Sequence, residues 1–495
     1  IMLARLGLAA FGVWAVTGAL ATYSGLLDFG IRRAISRFVA LYDAQGDHRA
    51  IRETIGLSLI AVAVLGVLAY AVAALIAPVV SDALGVLPTS EMRLVLLCSV
   101  TLVVTTAVRE IFASVGIGLR KMKPPNVAVV CVNLTNFAAS VAVLAFSTKL
   151  TDYALANAAA GIVSIGYQLV AFRFVWKGPW FALPPRRRAK EILGYSIKNQ
   201  LVTLSDLVNL QTDKILIAVL AGPAAAGSYE IANRAVIAVR ALGWLTASAM
   251  VPTATAEIVE HGKQVIRRFY RHYTLRSAAI SMPIFVATCL SAPYLLVVWL
   301  GQAPGDAVPI LLLLCGAQLG SVLSVVAETL ANSDGRPDIP ARIAVMAAVL
   351  NIVLTVTLAP IFGLWGVLTG TFVALTFGSV AFVRRFNRQY GFPTSDFLDA
   401  VWPPARLTLA LAAPYAVWYL LADSMPTTRL DAVPGLLATL VPFGVAYWLL
   451  ASRREYLPRP MRVRSLLARL RSAPQEPEAA ITALPAPPVR ERMVP

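Results

Sequence analysis

The sequence predicts an all-α polytopic membrane protein, and three observations predict it. Of the 495 residues, 58% are hydrophobic and only 14% charged, with a mean hydropathy of +0.72. A soluble domain carries about 25% charged residues, and two or three soluble domains of this length could not hide so much apolar surface. Apolar runs of about 20 residues, the length a helix needs to cross a hydrocarbon core, recur along the chain. The connections between them alternate between basic and nearly free of Lys and Arg, as inner and outer loops do.

Taken in order, the apolar runs place thirteen spans near 9–28, 55–79, 92–116, 126–147, 152–175, 195–220, 224–250, 276–300, 307–330, 340–359, 362–383, 405–423 and 433–451. The connections follow the same order. RRAISRFVALYDAQGDHRAIR is basic and APVVSDALGVLPTSEM has no basic residue; GLRKMKPPN is basic and STKLTDY has one lysine; WKGPWFALPPRRRAK is basic and AGPAAAG has none. In the second half EHGKQVIRRFYRHYTLR, SDGRPDIPAR and RRFNRQYG are basic, whereas GQAPGDAVP and APIFGLWG carry no Lys or Arg and DSMPTTRLDAVPG carries one. A lost or added span would break this alternation. Of the 43 Lys and Arg, Arg5, Arg93, Lys149 and Arg429 fall on the sparse side, and Arg109, Lys198, Lys214, Arg234 and Arg240 fall within spans. The rest mark the cytoplasmic side, where the C-terminus is also expected. Pro124-Pro125 and Pro403-Pro404 read as punctuation at helix entrances.

The net charge of +17 therefore reports topology, and no nucleic-acid partner is expected. His48, His261 and His272 lie in polar connections, and Cys98, Cys131, Cys289 and Cys315 lie in apolar runs without a close pair. No catalytic, metal or cofactor site is expected. Beyond the last span, 461–471 reads either as a basic amphipathic helix on anionic lipid or as a solvated stub. The Pro- and Ala-rich 472–495 reads as disordered.

An internal repeat organises the spans. Gly12-Val13-Trp14 opens an apolar run that ends in the basic segment 38–52; Gly227-Ser228-Tyr229 opens another that ends in 254–268. Gly12 and Gly227 are 215 residues apart, Gly46 and Gly262 are 216 apart. Two related halves are common in transporters. In the second half the span 195–220 precedes Gly227, whereas only residues 1–11 precede Gly12, and the first residue is Ile1. A further helix upstream is expected, for fourteen in all: six, six and a final pair. The halves divide as 1–183, 184–390, an extra pair over 391–455 and a tail over 456–495.

Charges within spans are costly, about 2.5–3.5 kcal/mol each at mid-membrane, so they face a partner or a wet cavity. Asp213 and Lys214 are neighbours and point about 100° apart on a helix; Asp206 shares the face of Asp213, and Asn209 and Gln211 add polarity. Glu230 and Arg234 are i and i+4, a favourable pair, and Arg240 lies about 9 Å further on. Arg109 lies within its span, and Asp28 at the basic end of the first. Two readings follow. Either Arg109, Lys214, Arg234 and Arg240 form a cationic wall for phosphate, with Asp28, Asp206, Asn209, Gln211, Asp213 and Glu230 in supporting or ion-coupling roles, or Glu230–Arg234 and Asp213–Lys214 merely neutralise one another.

The N-terminal LARLGLAAFGVWAVTGALATYSGLLDFGIRRAISRFVA, the triplet Gln211-Thr212-Asp213, the run Gly227-Ser228-Tyr229-Glu230-Ile231-Ala232-Asn233-Arg234 and Pro252 with Glu257 resemble bacterial Wzx-type polysaccharide flippases of the MOP (MATE-like) superfamily. The resemblance covers roughly residues 3–390. It implies a two-lobed, all-helical bundle around a central cavity in the bacterial inner membrane, working by alternating access. The implied cargo is a polyprenyl-diphosphate-linked oligosaccharide, with membrane lipids and glycan-assembly proteins as partners. A multidrug antiporter or lipid II flippase of the same superfamily is the alternative. A glycan polymerase or ligase fits less well, because the outer connections are short and carry no histidine.

Overall fold

A backbone buried in hydrocarbon must satisfy its own amides, and a helix does so within one segment. The computed structural model describes residues 2–24, 31–248, 264–302, 306–334, 336, 338–421, 426 and 428–456. Among these are fifteen helices and no strand: α1 (Met2–Ser24), α2 (Ile31–Ala44), α3 (His48–Leu84), α4 (Thr89–Gly118), α5 (Lys123–Phe146), α6 (Leu150–Val175), α7 (Arg186–Ala221), α8 (Pro223–Ser248), α9 (Gln264–Leu290), α10 (Ala292–Leu300), α11 (Ala307–Ser333), α12 (Asp338–Phe362), α13 (Leu364–Tyr390), α14 (Ser395–Leu421) and α15 (Arg429–Arg453).

Ten of these, α1, α3–α6, α9, α11–α13 and α15, are long and apolar enough to cross a membrane. Length and composition thus support ten crossings among the described residues, not thirteen. The other expected spans fall on α7, α8 and α14. Polar and charged residues dilute their hydropathy: α7 carries Lys198, Asp206, Asp213 and Lys214, and α8 carries Glu230, Arg234 and Arg240. Three further corrections are local. The expected span 276–300 is broken between α9 and α10, with Pro293 in the first turn of α10, where its missing N–H costs nothing. Pro403 and Pro404 lie inside α14 rather than at its entrance, because α14 starts upstream at a buried Asp396. The basic connection after the first span folds into the amphipathic α2, which buries Ala34, Ile35, Phe38, Val39 and Tyr42. Pro252, Glu257, His261 and the tail from 457 lie outside the described residues.

The two glycine positions paired in the expected repeat share a local backbone feature. Gly7 kinks α1 with φ 83° and ψ 168°, and Gly222 separates α7 from α8 with φ 87° and ψ 163°. Each lies five residues before the paired glycines Gly12 and Gly227, and each adopts a positive φ that a residue with a Cβ rarely takes. α1 then packs along α8 at those glycines. A Cβ on Gly12 would overlap the Pro223 carbonyl, and one on Gly227 would lie 2.7 Å from the Leu8 carbonyl oxygen. α1 and α8 therefore meet backbone to backbone.

Among the described residues, three large buried clusters distribute the contacts, and a small fourth joins α14 to α15 at Leu407, Tyr447 and Ala451. The largest joins the halves near the sparsely charged connections, uniting Phe11, Leu84, Met92 and Leu150 with Ile217, Tyr229, Leu296, Ile310 and Val367. Toward the basic connections the core divides. One cluster holds α2, α3, α4 and α6 with Ile192 at the start of α7; another holds α9, α11, α12 and α13 around Tyr270 and Phe386. On the sparse side Arg5 is spent on the end of α5, donating to the carbonyls of Leu144 and Ala145 at 2.9 and 3.0 Å.

Two ion-pair clamps hold the starts of α7 and α14. Arg188 at the start of α7 pairs with the buried Glu53 of α3, reaches Asp47 at 3.4 Å and stacks over Tyr42 at 5.2 Å; Arg49 holds Glu53 from the other side at 3.0 Å. In the second half Arg267 of α9 donates to both oxygens of Asp396 at 2.7 and 3.1 Å, with Arg271 at 3.7 Å.

Gly12→Ala drives a methyl into backbone that cannot move aside, so it should lower stability by about 1–3 kcal/mol or prevent accumulation. Gly18→Ala, where nothing lies within 4 Å of a Cβ, should be neutral or slightly stabilising. Thermal unfolding of the two purified variants checks the contrast; equal behaviour would remove the close-approach explanation.

Candidate functional site

Because Asp213 and Lys214 point in different directions from α7, they serve different neighbours. Lys214 turns to α8, with Nζ 2.8 Å from Glu230 Oε2, while Arg234 Nε lies 2.8 Å from Glu230 Oε1. One buried carboxylate thus holds two cations and the cluster keeps a net positive charge. Lys214 is 8% exposed and Glu230 6%, but the Arg234 side chain is 51% exposed. Its guanidinium stands 5.5 Å from the Phe11 ring centroid, at the seam between the halves. The i, i+4 pair expected on α8 forms; the pairing of Asp213 with Lys214 does not, since Glu230 takes the lysine.

Asp213 turns into the second half instead. Thr371 of α13 donates to its Oδ2 at 2.7 Å and the Tyr229 hydroxyl does so at 3.3 Å. The Thr371 hydroxyl also lies 3.4 Å from Asn351 Oδ1 and 3.1 Å from the Val367 carbonyl, and Thr355 reaches Asn351 Oδ1 at 3.2 Å. All five side chains are buried to 2% exposure or less. A hydroxyl carries one proton, so Thr371 faces more acceptors than it can satisfy. The cluster is rich in oxygen and short of positive charge.

The remaining predicted residues have other anchors. Arg240 donates from Nη1 to Gln318 of α11 at 3.3 Å. Arg109, on α4, donates from Nη2 to Thr106 at 2.9 Å, and its buried Nε has no hydrogen-bond partner. Gln211 is partly buried beside Thr212. The side chains of Asp206 and Asn209, and all of Asp28, lie outside the described residues. Asn351, Thr355, Thr371 and Phe11 join the site, as does Tyr229, which the sequence offered only as part of a motif. A signal existed for Asn351, a strongly polar amide in the apolar run AVLNIVLTVTLAP, since a polar group in a span needs a partner.

Comparison with known proteins bears on the family and the fold. A family model described as "Polysaccharide biosynthesis protein" matches residues 1–256. The membrane protein EpsK of Bacillus subtilis (strain 168) is 22% identical over 311 residues, 61% of this chain and 60% of EpsK; the match thus spans three-fifths of that relative's length. Among solved structures, an inward-facing multidrug resistance MATE family transporter of the MOP superfamily superposes with a TM-score of 0.64 at 16% identity, covering 79% of this chain and 95% of that one. The lipid II flippase MurJ, in an inward closed conformation, gives 0.61 at 12% identity, covering 93% and 98%. A MOP superfamily transporter from Pyrococcus furiosus gives 0.54 at 15%, covering 79% and 95%. At these identities the likeness is one of fold, and the fold is MATE-like.

Removing the shared carboxylate should cost more than removing either cation. Glu230→Gln leaves Lys214 buried without its partner and should destabilise by about 3–5 kcal/mol; Arg234→Gln, at a half-exposed site, should cost about 1 kcal/mol or less. Denaturation of both variants and the double variant measures the difference, and an equal cost would contradict the shared-carboxylate geometry.

Proposed function

Since the chain belongs to the polysaccharide biosynthesis protein family, whose model matches 1–256, we propose that it flips a polyprenyl-diphosphate-linked glycan from the inner to the outer leaflet of a bacterial cytoplasmic membrane. Alternating access moves the cargo, with the C-terminus on the cytoplasmic side. The observation that carries this reading is the Lys214–Glu230–Arg234 cluster: two cations on one carboxylate, with the outer guanidinium half exposed at the seam between the halves. Such a group suits a diphosphate, because the guanidinium fork matches phosphate oxygens bidentately. Glu230 pairs with the buried Lys214, and Phe11 supplies a face for the Arg234 guanidinium. Arg240 and Arg109 extend the cationic path on α8 and α4. Separation of the core at the basic end and its union at the sparse end favour a site entered from the basic side. A glycan-lipid cargo also unites an anionic head, a polar sugar and an apolar tail in a way a small cationic drug does not.

Asp213 fits an ion-coupling role in the same cycle. Its carboxylate, the Asn351 amide oxygen and the Thr371 and Thr355 hydroxyls offer hard oxygen donors, which suit a proton or an alkali cation. Binding there would tie α7 to α12 and α13, and α7 also carries Lys214. Charge at Asp213 and cargo at Arg234 would then be read by adjacent residues of one helix.

Two outcomes are expected in proteoliposomes carrying a fluorescent polyprenyl-diphosphate glycan. Loss of a charged hydrogen bond costs about 1.5–3 kcal/mol, so Arg234→Ala should slow flipping by about tenfold or more and Arg234→Lys should recover part of it. Full flipping by Arg234→Ala and Arg240→Ala at normal abundance would refute the cationic site. Separately, Asp213→Asn should leave the protein folded but abolish the response of flipping to an imposed proton or sodium gradient. A retained response to either gradient would remove Asp213 from coupling.

A further inference from the structure

The N-terminal parts of α9 and α14 line a second, open cationic site, distinct in its residues from the α7–α8 cluster. A cavity of about 640 Å³ is lined by Arg267, Arg268, Arg271, His272 and Leu275 of α9 and by Asp399 of α14. Behind its wall the buried Asp396 takes Nε and Nη2 of Arg267. Both carboxylate oxygens are thereby used, and the guanidinium plane is fixed with further N–H donors unspent, since a guanidinium has five. Arg271 is held from the same carboxylate at a longer distance, 3.7 Å. Among the described residues Arg268 and Asp399 have no ion-pair partner, and Arg268 and His272 stand i and i+4 on one face of α9. The cavity remains net cationic with both aspartates counted. It offers many donors to an anion and one free carboxylate to accept from hydroxyls.

Its surroundings choose the source of that anion. The cavity lies at the basic end of Val265–Leu290, a helix stretch able to cross a membrane, which is head-group level. On α14 the flanking Leu398 and Trp402 are 58% and 59% exposed, one helical turn apart. Tryptophan beside aliphatic surface at a span end suits the bilayer interface. Basic pockets between membrane helices on the cytoplasmic side take anionic lipid head groups.

We propose that this cavity binds the glycerol-phosphate head group of an anionic phospholipid: phosphate on Arg267, Arg268, Arg271 and His272, head-group hydroxyl on Asp399, acyl chains along Leu398 and Trp402. Bound lipid bridges α9 to α14 and so fastens the last helix pair to the second half.

The test uses the purified full chain in nanodiscs of phosphatidylcholine with or without phosphatidylglycerol, reading thermal unfolding and lipid retention by native mass spectrometry. Phosphatidylglycerol should raise the unfolding temperature and be retained. Arg268→Gln with His272→Gln, which spares the Asp396 clamp, should weaken retention by about tenfold or more. Arg186→Gln with Arg187→Gln, an exposed pair on the basic side, should leave retention unchanged. Equal retention by the first double variant, or equal loss in the second, would overturn the site. Equal stabilisation by phosphatidylcholine alone would also overturn it. Stabilisation of the same size by inorganic phosphate or glycerol phosphate would assign the cavity to a soluble anion and refute the lipid.

Discussion

The approach of α1 to α8 at Gly12 and Gly227 fixes the geometry on which the rest depends. In lipid no hydrophobic drive presses helices together, so close packing of small residues must hold them. Here the packing is backbone on backbone, and a single methyl on either glycine would force the helices apart. Their contact puts Phe11 beneath Arg234, brings the halves into one apolar core at the sparsely charged end, and leaves the basic ends to cores of their own. The glycines Gly7 and Gly222, five residues earlier in each half, aim the two helices into that contact. Glycines at matching places in α1 and α8 thus permit the contact of the two helices.

Charge within the membrane follows from the same arrangement. α7 and α8 carry five charges from Asp213 to Arg240, and the structure sorts most of them into two environments a residue apart. Lys214, Glu230 and Arg234 form an ionic cluster that reaches the seam; Asp213 enters a set of neutral oxygens within the second half. Adjacent residues on one helix can therefore sense two different chemistries without a relay between them. Breaking a buried pair strands a charge, which gives both environments a sharp preference for particular occupants.

Much of the fold was legible because hydropathy, loop charge and repeat spacing are properties of the chain itself. Among the described residues the expected spans fall on helices, 276–300 on two of them, and the matching of Gly12 with Gly227 was readable from order and spacing. What was hidden depends on neighbours in space. The upstream start of α14 rests on Asp396 meeting Arg267, 129 residues away in sequence, and no local pattern announces it. The break before Pro293 lies within a run apolar enough to pass as continuous. At the site the i, i+4 pair on α8 was legible, since its partners share a helix. The preference of Lys214 for Glu230 over Asp213, and the assembly of Asn351, Thr355 and Thr371 around Asp213, arise only when α7 packs against α8, α12 and α13.

The two clamps at the basic end have opposite polarity. In the first half the acid, Glu53, is on the lobe and the base, Arg188, leads the departing helix; in the second the base, Arg267, is on the lobe and the acid, Asp396, leads the departing helix. Were α7 to dock where α14 belongs, Arg188 would meet Arg267 and Arg271; were α14 to dock where α7 belongs, Asp396 would meet Glu53 and Asp47. Both placements would bring like charges together, so the opposite polarity of the two clamps disfavours an exchange of α7 and α14.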